Sequence, residues 1–95
     1  MVQATAMKSA PRPVAFFAEA PGCRDVRVTG DFSNWSKAGI RLSDDGHGLW
    51  RTMLSLRQGV YQYRLLINGE WADHPEATAR VDNPYGTQNC VLTVP

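Results

Sequence analysis

The dipeptide Asn68-Gly69 constrains the fold of this chain more than any other feature of its sequence. Both residues tolerate the positive φ values of a two-residue type I′ turn, and an Asn-Gly pair between apolar runs is the strongest short-range signal for a β-hairpin. In this register Ile67 lies opposite Glu70 across the turn. The centre of the chain is therefore predicted to be antiparallel sheet.

The strand before this turn has one apolar face. Because successive side chains of a strand point to opposite faces, residues of one parity share a face. The apolar parity comprises Tyr61, Tyr63, Leu65 and Ile67. We expect that face to line the core. The other parity is mixed and comprises Gln62, Arg64 and Leu66.

The strand after the turn places a tryptophan on the outer face of the sheet. Trp71 lies opposite Leu66, and opposed side chains point to the same face. A tryptophan outside the core is explained either by a ligand or by a loop or arm that covers it. Arg64 lies opposite Asp73 and has two interpretations, an ion pair with that residue and a contact to a ligand, which can hold together.

No stretch of the chain has the length and periodicity of an amphipathic helix. Short apolar runs instead alternate with Gly, Pro, Asp and Asn, a spacing that is typical of a β-sandwich or barrel. The fold class is therefore predicted to be all-β. The predicted strands span residues 14–19, 25–29, 40–42, 49–56, 60–67 and 88–94, together with the strand after the central turn.

The last predicted strand repeats the alternation of the hairpin. Its inward residues are Cys90, Leu92 and Val94. Asn89 then points outward, and it joins the surface of Trp71 if this strand is the hairpin's neighbour in the sheet. The preceding segment, residues 82–87, is rich in turn formers and is interpreted as a loop.

The chain has the length of one domain, with 95 residues. Residues 1–12 are small, polar and interrupted by Pro11, so we expect a flexible N-terminal arm there and the folded domain at residues 13–95. The two cysteines, Cys23 and Cys90, are too few for a disulfide framework and are interpreted as free thiols.

The charge balance favours a neutral partner. Ten Lys and Arg oppose nine Asp and Glu, which gives a formal net charge of +1. No field of one sign is present to attract nucleic acid or anionic lipid, so neither is expected as a partner. The start of the chain has no apolar signal region and no run approaches the ~20 residues of a membrane helix, so a cytoplasmic location is expected.

The titratable residues do not form a catalytic or metal pattern. His47 and His74 lack a third ligand at metal spacing. Asp44 and Asp45 are adjacent like a glycosidase pair, but they lie in a predicted surface turn rather than across a cleft. We therefore expect no catalytic residues, no metal and no cofactor, and hence no enzyme.

The other two tryptophans differ in their expected roles. Trp50 shares strand parity with Leu54 and Leu56, so it is predicted to lie in the core or at a sheet edge. Trp35 lies in the predicted loop 30–36, where it either closes one end of the sandwich or faces a ligand. Position alone does not separate these two alternatives.

The order of motifs along residues 13–95 resembles carbohydrate-binding module family 48, the isoamylase-type early-set domain. It is similar to the glycogen-binding domain of the AMP-activated protein kinase β subunit. The single loop motif around Trp35 is weak evidence, whereas the whole ordered set is specific. The matching segments are Ala20-Pro21-Gly22, Val26–Val28, Gly30-Asp31-Phe32-Ser33-Asn34-Trp35, Gly48-Leu49-Trp50, Gly59-Val60-Tyr61-Gln62-Tyr63-Arg64, Asn68-Gly69-Glu70-Trp71, Asp82-Asn83-Pro84 and Asn89.

The resemblance implies an immunoglobulin-like antiparallel β-sandwich of about seven or eight strands. It also implies non-catalytic binding of α-1,4-glucans such as glycogen, starch or malto-oligosaccharides. Trp35 and Trp71 match the family's two stacking tryptophans, and Arg64 matches a lysine. The remaining matches are Tyr85, which replaces a leucine, Thr87 and Asn89.

A different function is compatible with the same resemblance. Early-set domains also precede the catalytic barrels of branching and debranching enzymes. The alternative is therefore an interaction module that docks a glycogen-metabolising enzyme and has no sugar affinity of its own. In that case Trp35 and Trp71 contact the protein partner.

Overall fold

A computed structural model of the chain describes residues 10–95. It confirms the predicted fold class, because the described residues form an antiparallel, immunoglobulin-like β-sandwich. The sandwich has nine strands rather than seven or eight. They are β1 (Arg12–Glu19), β2 (Val26–Gly30), β3 (Ile40–Arg41), β4 (Ser43–Asp44), β5 (Leu49–Leu56), β6 (Gly59–Ile67), β7 (Glu70–Ala72), β8 (Arg80–Asp82) and β9 (Gln88–Val94). A short 3₁₀ helix, Asp31–Ser33, follows β2.

The strands form two sheets of unequal size. The smaller sheet has the order β1-β5-β4, and the larger has the order β3-β2-β6-β9-β8 with β7 also paired to β6. β9 pairs with the first half of β6, and β7 pairs with its end. β9 and β7 therefore pair one after the other along the same edge of β6. β6 is thus the central strand of the larger sheet, with β2 on its other edge.

The central hairpin has the predicted register. Leu66 pairs with Trp71, and Ile67 pairs with Glu70. Asn68 and Gly69 have φ values of 52° and 85°, as a type I′ turn requires. The hairpin and its register are thus confirmed.

The core lies between the two sheets and takes side chains from both. Trp50 is buried there, as predicted, and its indole Nε1 donates a hydrogen bond to the Ala20 carbonyl oxygen at 3.1 Å. Both cysteines are free; Cys90 is buried and Cys23 half-buried. The buried core residues are Phe16, Ala18, Ala20, Val26, Val28, Leu42, Trp50, Leu54, Leu56, Tyr63, Leu65, Cys90 and Val94.

The first strand begins two residues earlier than predicted from the sequence. β1 begins at Arg12 and includes Pro13, which an edge strand tolerates because its outer side needs no backbone donor. Residues 1–9 of the predicted arm lie outside the described residues, so the division into arm and domain stays a prediction. Within residues 10–95 no helix is long and apolar enough to cross a membrane.

Candidate functional site

A concave surface, which encloses a volume of about 910 Å³, lies on the outer face of the larger sheet. It brings together every site residue named from the sequence: Trp35, Arg64, Trp71, Tyr85, Thr87 and Asn89. Four further residues that the sequence analysis did not assign to the site also line it: Asp31, Gln62, Asn83 and Pro84.

Strand pairing explains why these residues converge. β6 supplies Gln62 and Arg64, which share its outward parity. β9 pairs with β6, so Asn89 joins the same outer surface, as the sequence analysis expected for neighbouring strands. β7 carries Trp71 past the end of β9, and the loops after β2 and β8 provide the walls.

Trp71 stands on the outer face of the hairpin. Its side chain is 43% exposed, whereas Leu66, opposite to it on the same face, is only 4% exposed. The indole of Trp71 therefore covers part of an apolar neighbour and keeps the rest of its surface open. Its ring centroid lies 6.4 Å from that of Trp35, with the two planes tilted by 46°. Together the two indoles form an apolar wall.

Trp35 is held in place by its own loop. Asn34 and Trp35 both adopt positive φ values, 53° and 56°, which turn the chain back after the 3₁₀ helix. The Trp35 backbone N–H donates to the Gly30 carbonyl oxygen at 3.0 Å. Its Nε1 donates to Asp31 Oδ1 at 3.1 Å, and Asp31 Oδ2 accepts the backbone N–H of Gln62 at 2.8 Å. Asp31 thus ties the indole to β6.

Arg64 lies beneath the aromatic wall with most of its side chain covered. Its Nη2 donates to Asp73 Oδ1 at 2.9 Å, so the predicted pair is present, and the two side chains are 13% and 60% exposed. Because Asp73 is largely in solvent, we expect this pair to contribute no more than ~1 kcal/mol to stability. Arg64 Nε is buried and has no hydrogen-bond partner among residues 10–95.

The loop between β8 and β9 is built around Asn83. Asn83 Oδ1 accepts the backbone N–H of Tyr85 at 3.0 Å and that of Thr87 at 3.2 Å. The Asn83 backbone N–H donates in turn to the Thr87 carbonyl oxygen at 3.0 Å. The closed loop projects Tyr85 at its tip, where the side chain is 87% exposed.

The same asparagine connects the loop to the sheet. Asn83 Nδ2 donates to Asn89 Oδ1 at 3.0 Å, and Asn89 Nδ2 donates to Gln62 Oε1 at 3.0 Å. The sequence analysis interpreted residues 82–87 only as a loop and missed this connection. In the sequence, Gln62 could have been assigned to the site only because it shares the outward parity of Arg64 on the same strand.

The acidic turn between β4 and β5 has a structural role. Asp44 Oδ1 accepts the Gly46 N–H, and Asp45 Oδ1 accepts the N–H of His47. This hydrogen bond from His47 holds the pKa of Asp45 below its usual value, opposite to the raised pKa that a general acid needs. Among residues 10–95 no group of three His, Cys, Asp or Glu side chains is placed to hold a metal ion.

His74 lies on the opposite side of the larger sheet from this surface. It is buried, with Nδ1 2.6 Å from the Tyr63 hydroxyl and Nε2 2.9 Å from the Phe17 carbonyl oxygen. Burial lowers the pKa of the imidazole, although Glu76 at 3.1 Å favours the charged form. His74 therefore joins β6 of one sheet to β1 of the other.

Comparison with known proteins gives a match over almost the whole described chain. Residues 13–95 match the family model described as the glycogen recognition site of AMP-activated protein kinase. The chain is 33% identical over 73 residues to 5'-AMP-activated protein kinase subunit beta-1 of Sus scrofa, covering 77% of this chain and 57% of that protein.

Two plant proteins are also similar. SNF1-related protein kinase regulatory subunit beta-2 of Arabidopsis thaliana is 34% identical over 68 residues, which cover 72% of this chain and 23% of the relative. The chloroplastic phosphoglucan phosphatase LSF1 of the same species is 32% identical over 69 residues, which cover 72% of this chain and 12% of the relative. The matched region thus spans from about an eighth to little more than half of these relatives' length.

Proposed function

The chain belongs to the family of glycogen recognition sites of AMP-activated protein kinase, and on that premise we propose that its concave surface binds α-1,4-glucans without catalysing a reaction on them. The observation that carries the proposal is the pair of indoles, Trp35 and Trp71, whose centroids lie 6.4 Å apart beside polar side chains on one surface. An apolar wall next to hydrogen-bonding groups matches the two kinds of surface on a sugar.

The indoles suit the faces of glucose rings. These faces carry C–H groups that are apolar and weakly positive, whereas the face of an indole is flat and negative. The 46° tilt between Trp35 and Trp71 means that one flat ring cannot stack on both. A curved chain of successive rings can, and α-1,4-linked glucose forms such a curved chain. The aromatic geometry therefore favours an α-glucan over a straight polysaccharide.

The polar residues suit the edges of the rings. Sugar hydroxyls donate and accept hydrogen bonds, and Arg64, Thr87 and Asn89 line the surface below the indoles. Tyr85, 87% exposed at the loop tip, adds a third aromatic ring that can close over a bound chain. A few stacks and hydrogen bonds, less the cost of association, give about −4 to −8 kcal/mol, a micromolar to millimolar affinity.

The carboxylates of the surface support binding rather than hydrolysis. Cleavage of a glycosidic bond requires two carboxyl groups that flank it. Within the described part of the chain, Asp31 is the one carboxylate that lines the surface, and both of its oxygens already accept hydrogen bonds. This arrangement holds Trp35 in position instead of activating water.

The relatives support a role for this binding within a larger assembly. They are named as subunits of protein kinases and as a phosphoglucan phosphatase. We propose that the glucan-binding surface brings such an assembly to its polysaccharide. The alternative, a docking module without sugar affinity, makes the opposite prediction for the isolated chain.

Calorimetric titration of the chain with maltoheptaose, with cellohexaose as the β-linked control, tests the proposal. We expect saturable binding of maltoheptaose in the micromolar to millimolar range and at least tenfold weaker binding of cellohexaose. A folded chain that binds neither sugar would contradict glucan binding and favour the docking alternative. Equal binding of both sugars would contradict the preference for a curved chain.

A further inference from the structure

Three side-chain amides form a chain of hydrogen bonds along one side of the concave surface, which we call the amide relay (Asn83, Asn89 and Gln62). Asn83 Nδ2 donates to Asn89 Oδ1, and Asn89 Nδ2 donates to Gln62 Oε1, each at 3.0 Å. Every bond in the relay runs in the same direction, from the β8–β9 loop toward β6. The last amide, that of Gln62, lines the surface.

The direction of the relay is set by the protein backbone. The oxygen and nitrogen of an amide have nearly the same shape, so an isolated Asn or Gln can turn over. Asn83 cannot, because its Oδ1 accepts the backbone N–H groups of Tyr85 and Thr87, and a backbone N–H only donates. Its Nδ2 must therefore face Asn89, and each following amide is oriented in turn.

This direction leaves a donor at the end of the relay. Gln62 Oε1 is occupied by Asn89, whereas Gln62 Nε2 forms no hydrogen bond within residues 10–95. We propose that Asn83 is a positioning residue that acts through Asn89 and Gln62 to make the surface present this amide donor to an oxygen of the ligand. The inference rests on the proposed glucan binding and adds a determinant of its specificity.

An oxygen that only accepts is the ligand atom for which a fixed donor matters most. The carboxylate of Asp31, which lines the same surface, already accepts hydrogen bonds from the Trp35 indole and the Gln62 backbone. A sugar hydroxyl can rotate to meet either a donor or an acceptor, but a ring or glycosidic oxygen cannot. A loss of binding on reversal of the relay would therefore identify a ring or glycosidic oxygen as the partner of Gln62 Nε2.

Asn83→Asp reverses the relay without removing the loop that contains it. An aspartate keeps the oxygen that accepts the N–H groups of Tyr85 and Thr87. It replaces Nδ2, which donates to Asn89 Oδ1 and also to Thr87 Oγ1 at 2.8 Å, with a second acceptor, to which the Thr87 hydroxyl can donate instead. Asn89 then turns its nitrogen toward Asp at position 83, Gln62 turns in response, and Oε1 faces the ligand. We expect a melting temperature within a few degrees of the wild type and maltoheptaose binding about tenfold weaker.

A double-mutant cycle separates positioning from a general structural effect. Gln62→Met keeps a side chain of similar length but removes the amide, so the relay has no donor left to orient. We expect Asn83→Asp to change maltoheptaose binding less than about twofold in this background. An equal loss in both backgrounds would overturn the positioning of Gln62, because a loop defect or a reversed Asn89 would act whether or not the Gln62 amide is present.

The side-chain amide signals of Gln62 in ¹H–¹⁵N spectra test the relay without a sugar. In the wild type we expect both Nε2 protons to exchange freely with water; in Asn83→Asp one proton should be protected by its new bond to Asn89. Identical Gln62 signals in the two proteins would overturn the inference. A wild type that binds no maltoheptaose would overturn the proposed function, while these signals would still decide the direction of the relay.

Discussion

The three tryptophans of the chain have three different environments that follow from strand parity and loop position. Trp50 points between the sheets and is buried, with its Nε1 bonded to the Ala20 carbonyl. Trp71 points outward from the hairpin, and Trp35 is held at its side by Asp31. A tryptophan side chain therefore contributes to stability at position 50 and, as we propose, to ligand recognition at positions 35 and 71.

Unfolding by urea distinguishes these environments. Trp71→Ala should lower the free energy of unfolding by only about 1 kcal/mol, because its indole covers part of Leu66 but is otherwise open. Trp50→Ala should cost about 3–5 kcal/mol, since it leaves a cavity between the sheets. A cost of the second size for Trp71→Ala would show that this tryptophan is structural.

The charge of Arg64 provides a second prediction for a single side chain. Arg64→Lys keeps the charge and removes the buried Nε that lacks a partner, so we expect unfolding free energy to change by less than about 1 kcal/mol. Maltoheptaose binding should weaken no more than about threefold. Arg64→Met, which keeps the apolar stem but not the charge, should weaken binding about tenfold or more. Equal affinities for these two variants would exclude a role for the charge.

At the scale of elements, the contact between the sheets through His74 makes stability depend on pH. Nε2–H donates to the Phe17 carbonyl, which only accepts. Burial favours the neutral ring, and in that form Nδ1 accepts a hydrogen bond from the Tyr63 hydroxyl. Burial lowers the pKa of His74 in the folded state relative to ~6.5 in the unfolded chain. The unfolded state therefore binds the proton more readily, and stability falls as pH decreases.

The measurement is the free energy of unfolding between pH 8 and pH 5. We expect a plateau above about pH 7 and a decline that begins near pH 6.5. His47→Gln, which changes an exposed histidine, should keep this decline. His74→Gln should flatten it, whatever its effect on stability at pH 8. The same slope in His74→Gln as in the wild type would exclude His74 as its source.

The junction of β2 and β6 depends on the absence of a side chain at Gly30. A Cβ atom there would lie 2.2 Å from the Gln62 carbonyl oxygen and 2.8 Å from the Tyr63 Cα atom. We expect Gly30→Ala to destabilise the fold by about 3 kcal/mol, because backbone atoms would have to move. It should also weaken sugar binding, since the Gly30 carbonyl accepts the Trp35 N–H.

Gly46→Ala is the matched control for this change. A Cβ at Gly46 meets no atom within 4 Å, but the residue has a φ of 89°, which disfavours a side chain. We expect a cost of about 1 kcal/mol and unchanged sugar binding. A similar cost at both positions would mean that close approach of the strands is not what requires Gly30.

The elements that sequence alone predicted well are those with regular alternation or a defined turn. β5 and β9 have the predicted bounds, and the central hairpin has the predicted register. β8 was missed because its three residues are all exposed and lie directly before the turn formers of the next loop. With no buried face, such a strand has no alternation to detect.

The site was predictable to the extent that it depends on local geometry or on family resemblance. The outward position of Trp71 followed from the hairpin, whereas Trp35 was assigned by resemblance. Asp31 and Asn83 were missed because their roles depend on hydrogen bonds between segments far apart in sequence. Such bonds become visible only when the loops after β2 and β8 meet over β6.

At the scale of the whole molecule, the stability of the sandwich and the proposed binding surface are largely separate. The core takes residues from both sheets, whereas the residues among 10–95 that line the concave surface belong to the larger sheet and its loops. The outer face of the smaller sheet carries Phe17, which is 53% exposed and is not among the residues that line that surface. Substitutions on one face should therefore leave the other face intact.

Electrophoresis in native gels with and without glycogen tests whether Trp35 and Trp71 form a glucan-binding surface. The proteins compared are the wild type, Trp35→Ala, Trp71→Ala and, as a matched exposed aromatic on the other sheet, Phe17→Ala. We predict that glycogen retards the wild type and Phe17→Ala, and that either tryptophan variant loses the retardation while remaining folded. Equal retardation of all four proteins, or none for a folded wild type, would contradict a glucan-binding surface built on Trp35 and Trp71.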